Sequence, residues 1–299
     1  MTSNATETVI RCRGLRRSFG NTIALDGVDL EMPPGVCALV GENGSGKTTL
    51  MRILACVDSP NQGEAEVLGH SIFRAPAEIR RNIGFVPQHP AFHDWMNVAE
   101  VIWFHSAFYE SWDVALAERL RERVALDPKR VVSGLTTGMK MRLSMVLALA
   151  HRPPLLILDE PLAGLDPSVR EDVIELLIEH QGECDASIFI SSHQVQELDA
   201  LVDRVAYLEE GRILFERSRQ DLTQSIRRIE ILFEGPAPDH VSVPGRLRSK
   251  ASGQRLLIDV DGYRDELLES LKKPGVRSVE ASPLDLEEAF VALAKRGRP

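Results

Sequence analysis

Residues Gly41-Glu42-Asn43-Gly44-Ser45-Gly46-Lys47-Thr48-Thr49 carry the spacing G-x-x-x-x-G-K-T, that of a phosphate-binding loop. Glycines at 41, 44 and 46 let the backbone wrap tightly, so that successive N–H groups and the end of a following helix converge on a polyphosphate. In such a loop Lys47 reaches the β- and γ-phosphates of a nucleoside triphosphate, and the Thr48 hydroxyl ligates Mg²⁺. The flanks fit that chemistry. Val36 to Val40 is a short apolar, β-branched run that reads as a buried strand, and Leu50 to Leu54 opens a helical apolar pattern.

A second cluster follows at Leu155-Leu156-Ile157-Leu158-Asp159-Glu160, an apolar strand that ends in two carboxylates. A strand beside that of the phosphate loop would bring Asp159 to the metal and Glu160 to the attacking water as general base. In-line displacement needs both charge neutralisation at the γ-phosphate and an oriented water. The pair therefore predicts hydrolysis rather than binding alone.

The elements that would hold these residues alternate. Strands are expected at Val9 to Leu15, Ile23 to Met32, Glu64 to Leu68 and Ile83 to Val86. From about 97 to 150 the spacing turns helical, with Val114, Leu116, Leu120 and Val124 on one stripe. After 154, strands at Leu155 to Leu158, Ser187 to Ile190 and Val205 to Leu208 alternate with helices at 168–181 and near 194–200. This is the pattern of an α/β parallel sheet with an inserted helical block. Beyond about 225 the composition shifts. Residues 225–299 hold 13 basic and 12 acidic side chains, leaving 22 basic against 32 acidic ahead of them. A small βαβ-type domain is expected there, with strands at Ile229–Phe233, Leu256–Val260 and Val276–Ala281 and helices at 263–272 and 284–295.

A net charge of −9 and the lack of a polybasic arm argue against nucleic acid as the main ligand. Cys12, Cys37, Cys56 and Cys184 show no ligand spacing and are expected to be reduced and buried, as in a cytosolic protein. Met1 to Glu7 has no apolar signal core, and no apolar run approaches the ~18–20 residues of a membrane helix.

Over residues 8–220 the chain resembles the ATPase subunit of ABC transporters. Gln88 ends its strand as that family's Q-loop glutamine does, and Pro161-Leu162-Ala163-Gly164-Leu165-Asp166-Pro167 looks like its D-loop region. His193, after Ile188 to Ser192, matches the switch histidine at the γ-phosphate, and Phe19 falls where an aromatic ring packs on adenine. The resemblance implies a P-loop NTPase parallel sheet with an N-terminal β-subdomain and a helical subdomain at about 89–152, together making an ATP-binding domain over 1–222. A small C-terminal α+β accessory domain would occupy 223–299. It also implies ATP and Mg²⁺ as cofactors. Lys47, Gln88, Glu160 and His193 take catalytic roles, Thr48, Gln88 and Asp159 face the metal, and Phe19 and residues 41–49 hold the nucleotide.

The family signature LSGGQ is replaced here by Leu135-Thr136-Thr137-Gly138-Met139. Thr136 keeps a hydroxyl and Gly138 keeps a close backbone approach. The extra methyl of Thr136 stiffens its rotamer, so slower turnover is expected. In the family the signature completes the ATP site of the opposite subunit, which implies two chains head to tail around two ATP molecules. Thr136, Thr137, Gly138 and Asp166 then contact nucleotide across that dimer, with an identical partner expected ahead of a different one. The G-M-K run resembles the drug, lipid and antibiotic exporter branch, and Phe108 to Asp113 resembles ATPases of small antibiotic-responsive exporter operons.

Trp95, Trp103 and Trp112, the chain's three tryptophans, lie within 18 residues, near Phe92, Phe104, Phe108 and Tyr109. In the family a permease helix docks in this region. Trp103, Phe104 and Phe108 are expected in the core, while Phe92, Trp95 and Tyr109 are expected as contacts. The resulting expectation is an exporter ATPase, peripheral on the cytoplasmic face of the cell membrane, coupled to a separate permease. Its rivals are a soluble ABC ATPase acting on nucleic acid or ribosomes, disfavoured by the acidic balance, and an importer subunit, disfavoured by G-M-K and the type of C-terminal extension.

Overall fold

A computed structural model describes residues 8–238 and 241–295. The polar run Met1 to Glu7, expected to carry no export signal, lies outside the described residues. The chain divides into two compact units, Met1–Glu216 and Arg217–Pro299.

The first unit opens with β1 (Ile10–Phe19), β2 (Thr22–Met32), β3 (Val36–Val40) and α1 (Lys47–Leu54). Then come β4 (Gln62–Val67), β5 (His70–Ser71), α2 (Pro76–Asn82) and β6 (Ile83–Val86). Three helices follow, α3 (Val98–Ser106), α4 (Val114–Arg123) and α5 (Thr137–Leu149). The unit closes with β7 (Leu155–Leu158), α6 (Pro167–Cys184), β8 (Ser187–Ser192), β9 (Arg204–Glu209) and the start of β10 (Arg212–Ser218).

Two sheets result. β2-β1-β4-β5 forms an antiparallel sheet, and β10-β9-β3-β8-β7-β6 forms a six-stranded one. Within the second, β9, β3, β8, β7 and β6 run parallel. Every residue of β3, β7 and β8 is buried, as expected of parallel strands covered on both faces. Val40 pairs with Ser192, Leu158 with Ile190, and Val86 with Leu158, so four strands end at one edge. The residues that follow them are Gly41, His193, Asp159 and Pro87-Gln88. Sites of α/β sheets form at such carboxyl ends.

One expectation is corrected here. β7 does not adjoin β3, because β8 lies between them. The carboxylates therefore reach the phosphate loop across an intervening strand, about 10 Å away at the usual strand spacing.

The helical block also differs from expectation. Trp103 and Phe108 are 73% and 61% exposed rather than in the core, while Phe104 is half-buried. The cause is the start of α3. The Asn97 side chain accepts from Glu100 N (2.9 Å) while the Glu100 carboxylate accepts from Asn97 N (2.8 Å), a capping box that sets the helix phase. Val98 and Val101 then face inward, and Trp103, two residues past Val101, lies on the opposite face. Val114, expected on the buried stripe of Leu116 and Leu120, is exposed because it opens α4 directly after its cap, Asp113. The helix expected near 194–200 is a single 3₁₀ turn, Val195–Leu198. Cys12 and Cys37 are buried, and burial pushes both thiols up to about 12; Cys56 and Cys184 are half-buried, and all four are free. No helix among the described residues is long and apolar enough to cross a membrane.

The second unit contains α7 (Arg219–Ser225), β11 (Arg227–Phe233), β12 (Arg246–Ser252) and β13 (Arg255–Val260), then α8 (Glu266–Leu271), β14 (Val276–Pro283) and α9 (Leu286–Ala294). Its sheet order is β12-β13-β11-β14 with antiparallel neighbours. β13 and β14 both flank β11, so they run parallel to each other with α8 as crossover, a split βαβ unit. Ile229, Ile231, Leu256, Ile258 and Val260 alternate onto one face to make its core.

On the other face Asp259, 3% exposed, accepts from Arg228 Nε (2.9 Å) and Nη2 (3.2 Å) and from Arg248 Nε. Arg228 also holds Glu288 (2.7 Å), and its pKa is raised, chiefly by the bonds to Asp259. Asp259→Ala would leave two half-buried guanidinium groups without their shared carboxylate. We expect it to lower the stability of this unit by about 2–3 kcal/mol, below the fully buried case because both arginines touch solvent. Chemical denaturation reads this directly; an unmoved midpoint would contradict it.

Candidate active site

The phosphate loop closes on residues that leave no room for side chains. Gly46 has φ 110° and a Cβ there would stand 2.4 Å from the Ala24 carbonyl oxygen. A Cβ on Gly41 would stand 2.3 Å from the Leu208 carbonyl oxygen. Both close approaches are to backbone, which cannot swing away. Gly46→Ala is therefore expected to destabilise the unit by more than about 2 kcal/mol and to abolish nucleotide binding. Thermal melting and nucleotide titration check this; a wild-type melting point with intact binding would contradict it.

Gly46 is also the N-cap of α1, and it has no side chain to bond the first-turn N–H groups, which face the loop as donors. Lys47, the first residue of α1, is 5% exposed. Its Nζ donates to the carbonyls of Gly41 (2.7 Å) and Glu42 (3.1 Å) and pairs with Glu160 Oε1 at 3.0 Å. The other Glu160 oxygen, Oε2, lies 2.8 Å from His193 Nδ1. A buried lysine and glutamate and a partly exposed histidine thus form one chain of contacts across the ends of β3, β7 and β8.

Glu160 has φ 47°, in the left-handed region that costs a β-carbon residue about 1 kcal/mol or more. Its N–H donates to Ser191 Oγ (2.8 Å), whose own proton goes to Asp159 Oδ1 (2.9 Å). Asp159 is 1% exposed, and burial raises its pKa, with the charge of Glu160 adding to the effect. Hydrogen bonds from Thr48 and Ser191 and the charge of Lys47 oppose that rise.

These residues border a cleft of 280 Å³ lined by Thr22, Ile23, Ala24, Asn43, Gly44, Gly46, Lys47, Thr48, Thr49, Gln88 and Glu160. Gln88 is half-buried and follows β6. Ser45 is buried within the loop, its N–H bonded to the Glu42 carbonyl (3.2 Å), and the Glu42 side chain is exposed. Thr48, Asp159 and Gln88 present a hydroxyl, a carboxylate and an amide, which are hard oxygen donors that suit Mg²⁺ when phosphates and water complete its shell.

The remaining expected residues do not line this cleft. Phe19 is 50% exposed at the end of β1, Cα-paired with the cleft-lining Thr22, and carries the Arg17 guanidinium 4.6 Å from its ring centroid. Thr136 is the N-cap of α5, its Oγ1 accepting from Met139 N (3.3 Å), and Thr137 opens the helix. A Cβ on Gly138 would meet only Leu165 (3.8 Å) and Val169 (3.9 Å), so this helix end lies against the start of α6, where Asp166 is the exposed N-cap. One chain therefore presents two separate groups, the cleft and a pair of neighbouring helix N-termini.

Sequence reasoning passed over Ser191, which joins Asp159 to the backbone of Glu160. The signal was available, because a serine inside a fully buried strand needs a partner for its hydroxyl. The lining by Thr22, Ile23 and Ala24 has no such signal.

Residues 25–163 match the family model described as ABC transporter. The chain is 28% identical over 288 residues to the ABC transporter ATP-binding protein YtrB of Bacillus subtilis (strain 168), covering 95% of this chain and 97% of that one. It is 30% identical over 302 residues to the Nod factor export ATP-binding protein I of Rhizobium sp. (strain N33), covering 97% and 98%. Among solved structures, the fold is similar to a dimeric post-hydrolysis state of an ATP-binding cassette bound to ADP and Pi, with TM-score 0.63 and 23% identity over 70% of this chain and 98% of that one.

Proposed function

The chain belongs to the ABC transporter family as an ATP-hydrolysing subunit, and we propose that two copies, head to tail, drive a separate permease that exports its substrate. One observation carries the dimer. Lys47, Thr48, Gln88 and Glu160 line one cleft, with His193 bonded to Glu160 and Asp159 bonded to Thr48 and Ser191 beside it, while Thr136 to Gly138 and Asp166 stand apart on two exposed helix N-termini. Such ends favour an anion, and a second copy can present them to the phosphates held in the cleft. The similar cassette with ADP and Pi is itself dimeric, which supports this reading. The export-named relative supports the direction, and the net charge of −9 weighs against nucleic acid.

In this reading the triphosphate takes the loop N–H groups, and Lys47 turns from Glu160 to the β- and γ-phosphates. Mg²⁺, held by Thr48, Gln88 and Asp159, would neutralise charge on the phosphates. Glu160, freed from Lys47, accepts the proton of the attacking water. His193 keeps that carboxylate oriented through its Oε2. Phe19, Cα-paired with Thr22, would stack on the base.

The permease would dock on the aromatic surface next to Gln88. Trp95 and Phe108 are exposed there, beside a cavity of 380 Å³ lined by Phe92, His93, Met96, Phe104 and His105 among others, while Trp103 is exposed on the other face of α3. His93 stacks on Trp95 (5.6 Å) and Phe104 meets Phe108 edge-on (5.2 Å), so the rings are held before any partner arrives. A permease here would place the chain on the cytoplasmic face of the membrane. The test is capture of the tagged protein from its host's membranes with ATP. We expect a multi-span membrane protein to co-purify, and Trp95→Ala with Phe108→Ala to cut its recovery at least about tenfold with ATP binding intact. Recovery of only soluble or ribosomal partners would overturn the proposal.

A further inference from the structure

His193 reaches Glu160 from an exposed turn. Its side chain is 37% exposed and makes its 2.8 Å contact with Glu160 at the end of β8. With more than a third of that side chain open to solvent, the backbone on either side of it shares the task of fixing its position. The flanking serine supplies that restraint. Ser192 Oγ accepts from Gln194 N (2.9 Å) and lies within hydrogen-bond distance of two acceptors, Gln194 O (2.9 Å) and Glu197 Oε2 (3.3 Å). One hydroxyl thus bridges the residues before and after His193.

Glu197 is held in turn. It sits in the 3₁₀ turn Val195–Leu198, with its side chain 7% exposed, and a carboxylate so buried requires a partner. That partner is Arg170, whose Nη1 lies 2.9 Å from Glu197 Oε1. Arg170 is fixed in the first turn of α6, its N–H bonded to the Asp166 carbonyl (3.0 Å). The one Ser192 proton is shared between Gln194 O and Glu197 Oε2, and when it points to Glu197 a set of bonds runs from the start of an 18-residue helix through Glu197 and Ser192 to the turn that carries His193.

We infer that Arg170, Glu197 and Ser192 are positioning residues for hydrolysis, holding His193 where it can orient Glu160. This rests on the reading of Glu160 and His193 given above. The competing role is a plain stabilising ion pair, and the two differ in how they couple to His193. A positioning relay loses its effect once His193 is gone, whereas a stabilising pair acts regardless of it.

The experiment measures steady-state kcat and KM for ATP on the full chain. Glu197→Gln, which keeps shape, and Arg170→Met are compared alone and combined with His193→Ala. We expect each to lower kcat about tenfold with KM within about twofold. On the His193→Ala background the further loss should be under about twofold, and Arg170→Lys should restore most of the turnover. If Arg170→Met does not fold, Glu197→Gln carries the comparison. Losses that multiply with that of His193→Ala overturn the relay and leave the site reading in place. Unchanged kcat in Glu197→Gln, or a rise in KM alone, overturns it equally. Wild-type turnover in His193→Ala itself would remove the site reading and the relay together.

Discussion

Glu160→Gln is expected to slow ATP hydrolysis about 10²–10⁴-fold, the contribution of a positioned general base, without loss of nucleotide binding. The structure adds a second consequence. Lys47 Nζ has three oxygen partners, and only the carboxylate of Glu160 carries a full charge. An amide at 160 leaves a 5% exposed ammonium with no carboxylate in direct contact, the charge of Asp159 acting only from farther off. Removing one member of a buried pair is costly, so the nucleotide-free variant should lose about 2–3 kcal/mol of stability, short of the full range because the amide oxygen still accepts. Phosphates restore the missing negative charge. ATP should therefore raise the melting temperature of Glu160→Gln by more than it raises that of the wild type. Phosphate release and thermal melting with and without ATP read both effects. Hydrolysis within tenfold of wild type, or equal ATP-induced shifts, would contradict this account of the pair.

Lys47→Met should weaken ATP binding about 10²–10⁴-fold, because bonds from a charged donor contribute roughly 1.5–3 kcal/mol each and two phosphates lose theirs. Titration calorimetry measures that loss. The same change leaves the Glu160 carboxylate buried, with His193 Nδ1 as its side-chain contact, so the nucleotide-free protein should again be less stable. The double variant Lys47→Met with Glu160→Gln removes both charges. Its stability should exceed the sum of the single losses, with a coupling of about 2 kcal/mol. Additive losses would mean that Lys47 and Glu160 do not rely on each other in the resting protein. ATP affinity within threefold of wild type would remove Lys47 from the phosphate site.

The parts of this site that were legible in the sequence are those whose geometry is local. The run 41–49 needs glycine at 41 and 46 because backbone carbonyls of Leu208 and Ala24 press against them, so its spacing records the fold directly. Asp159 and Glu160 were legible for a similar reason, as charges that end a buried strand. Sheet order is not local. Nothing within β3 or β7 states that β8 lies between them, and so Ser191 was missed although it bonds Asp159 and the Glu160 backbone. The exposure of Trp103 followed from helix phase, set by the Asn97–Glu100 capping box rather than by hydrophobicity. β12 and α7 went unread because they bury almost nothing. Arg246–Ser252 and Arg219–Ser225 each hold one buried side chain, Leu247 and Leu222, too few to show a period.

In the proposed dimer one chain supplies the cleft and another supplies the helix ends that close it. A crystal structure of Glu160→Gln with ATP and Mg²⁺ tests this most directly. We expect a triphosphate within hydrogen-bond distance of Lys47 Nζ, with the metal at Thr48 Oγ1 and Asp159, and with Thr136 and Gly138 of a second copy against the γ-phosphate. A triphosphate bound away from residues 41–49, or fully enclosed by one chain with its own Thr136 at the γ-phosphate, would contradict it.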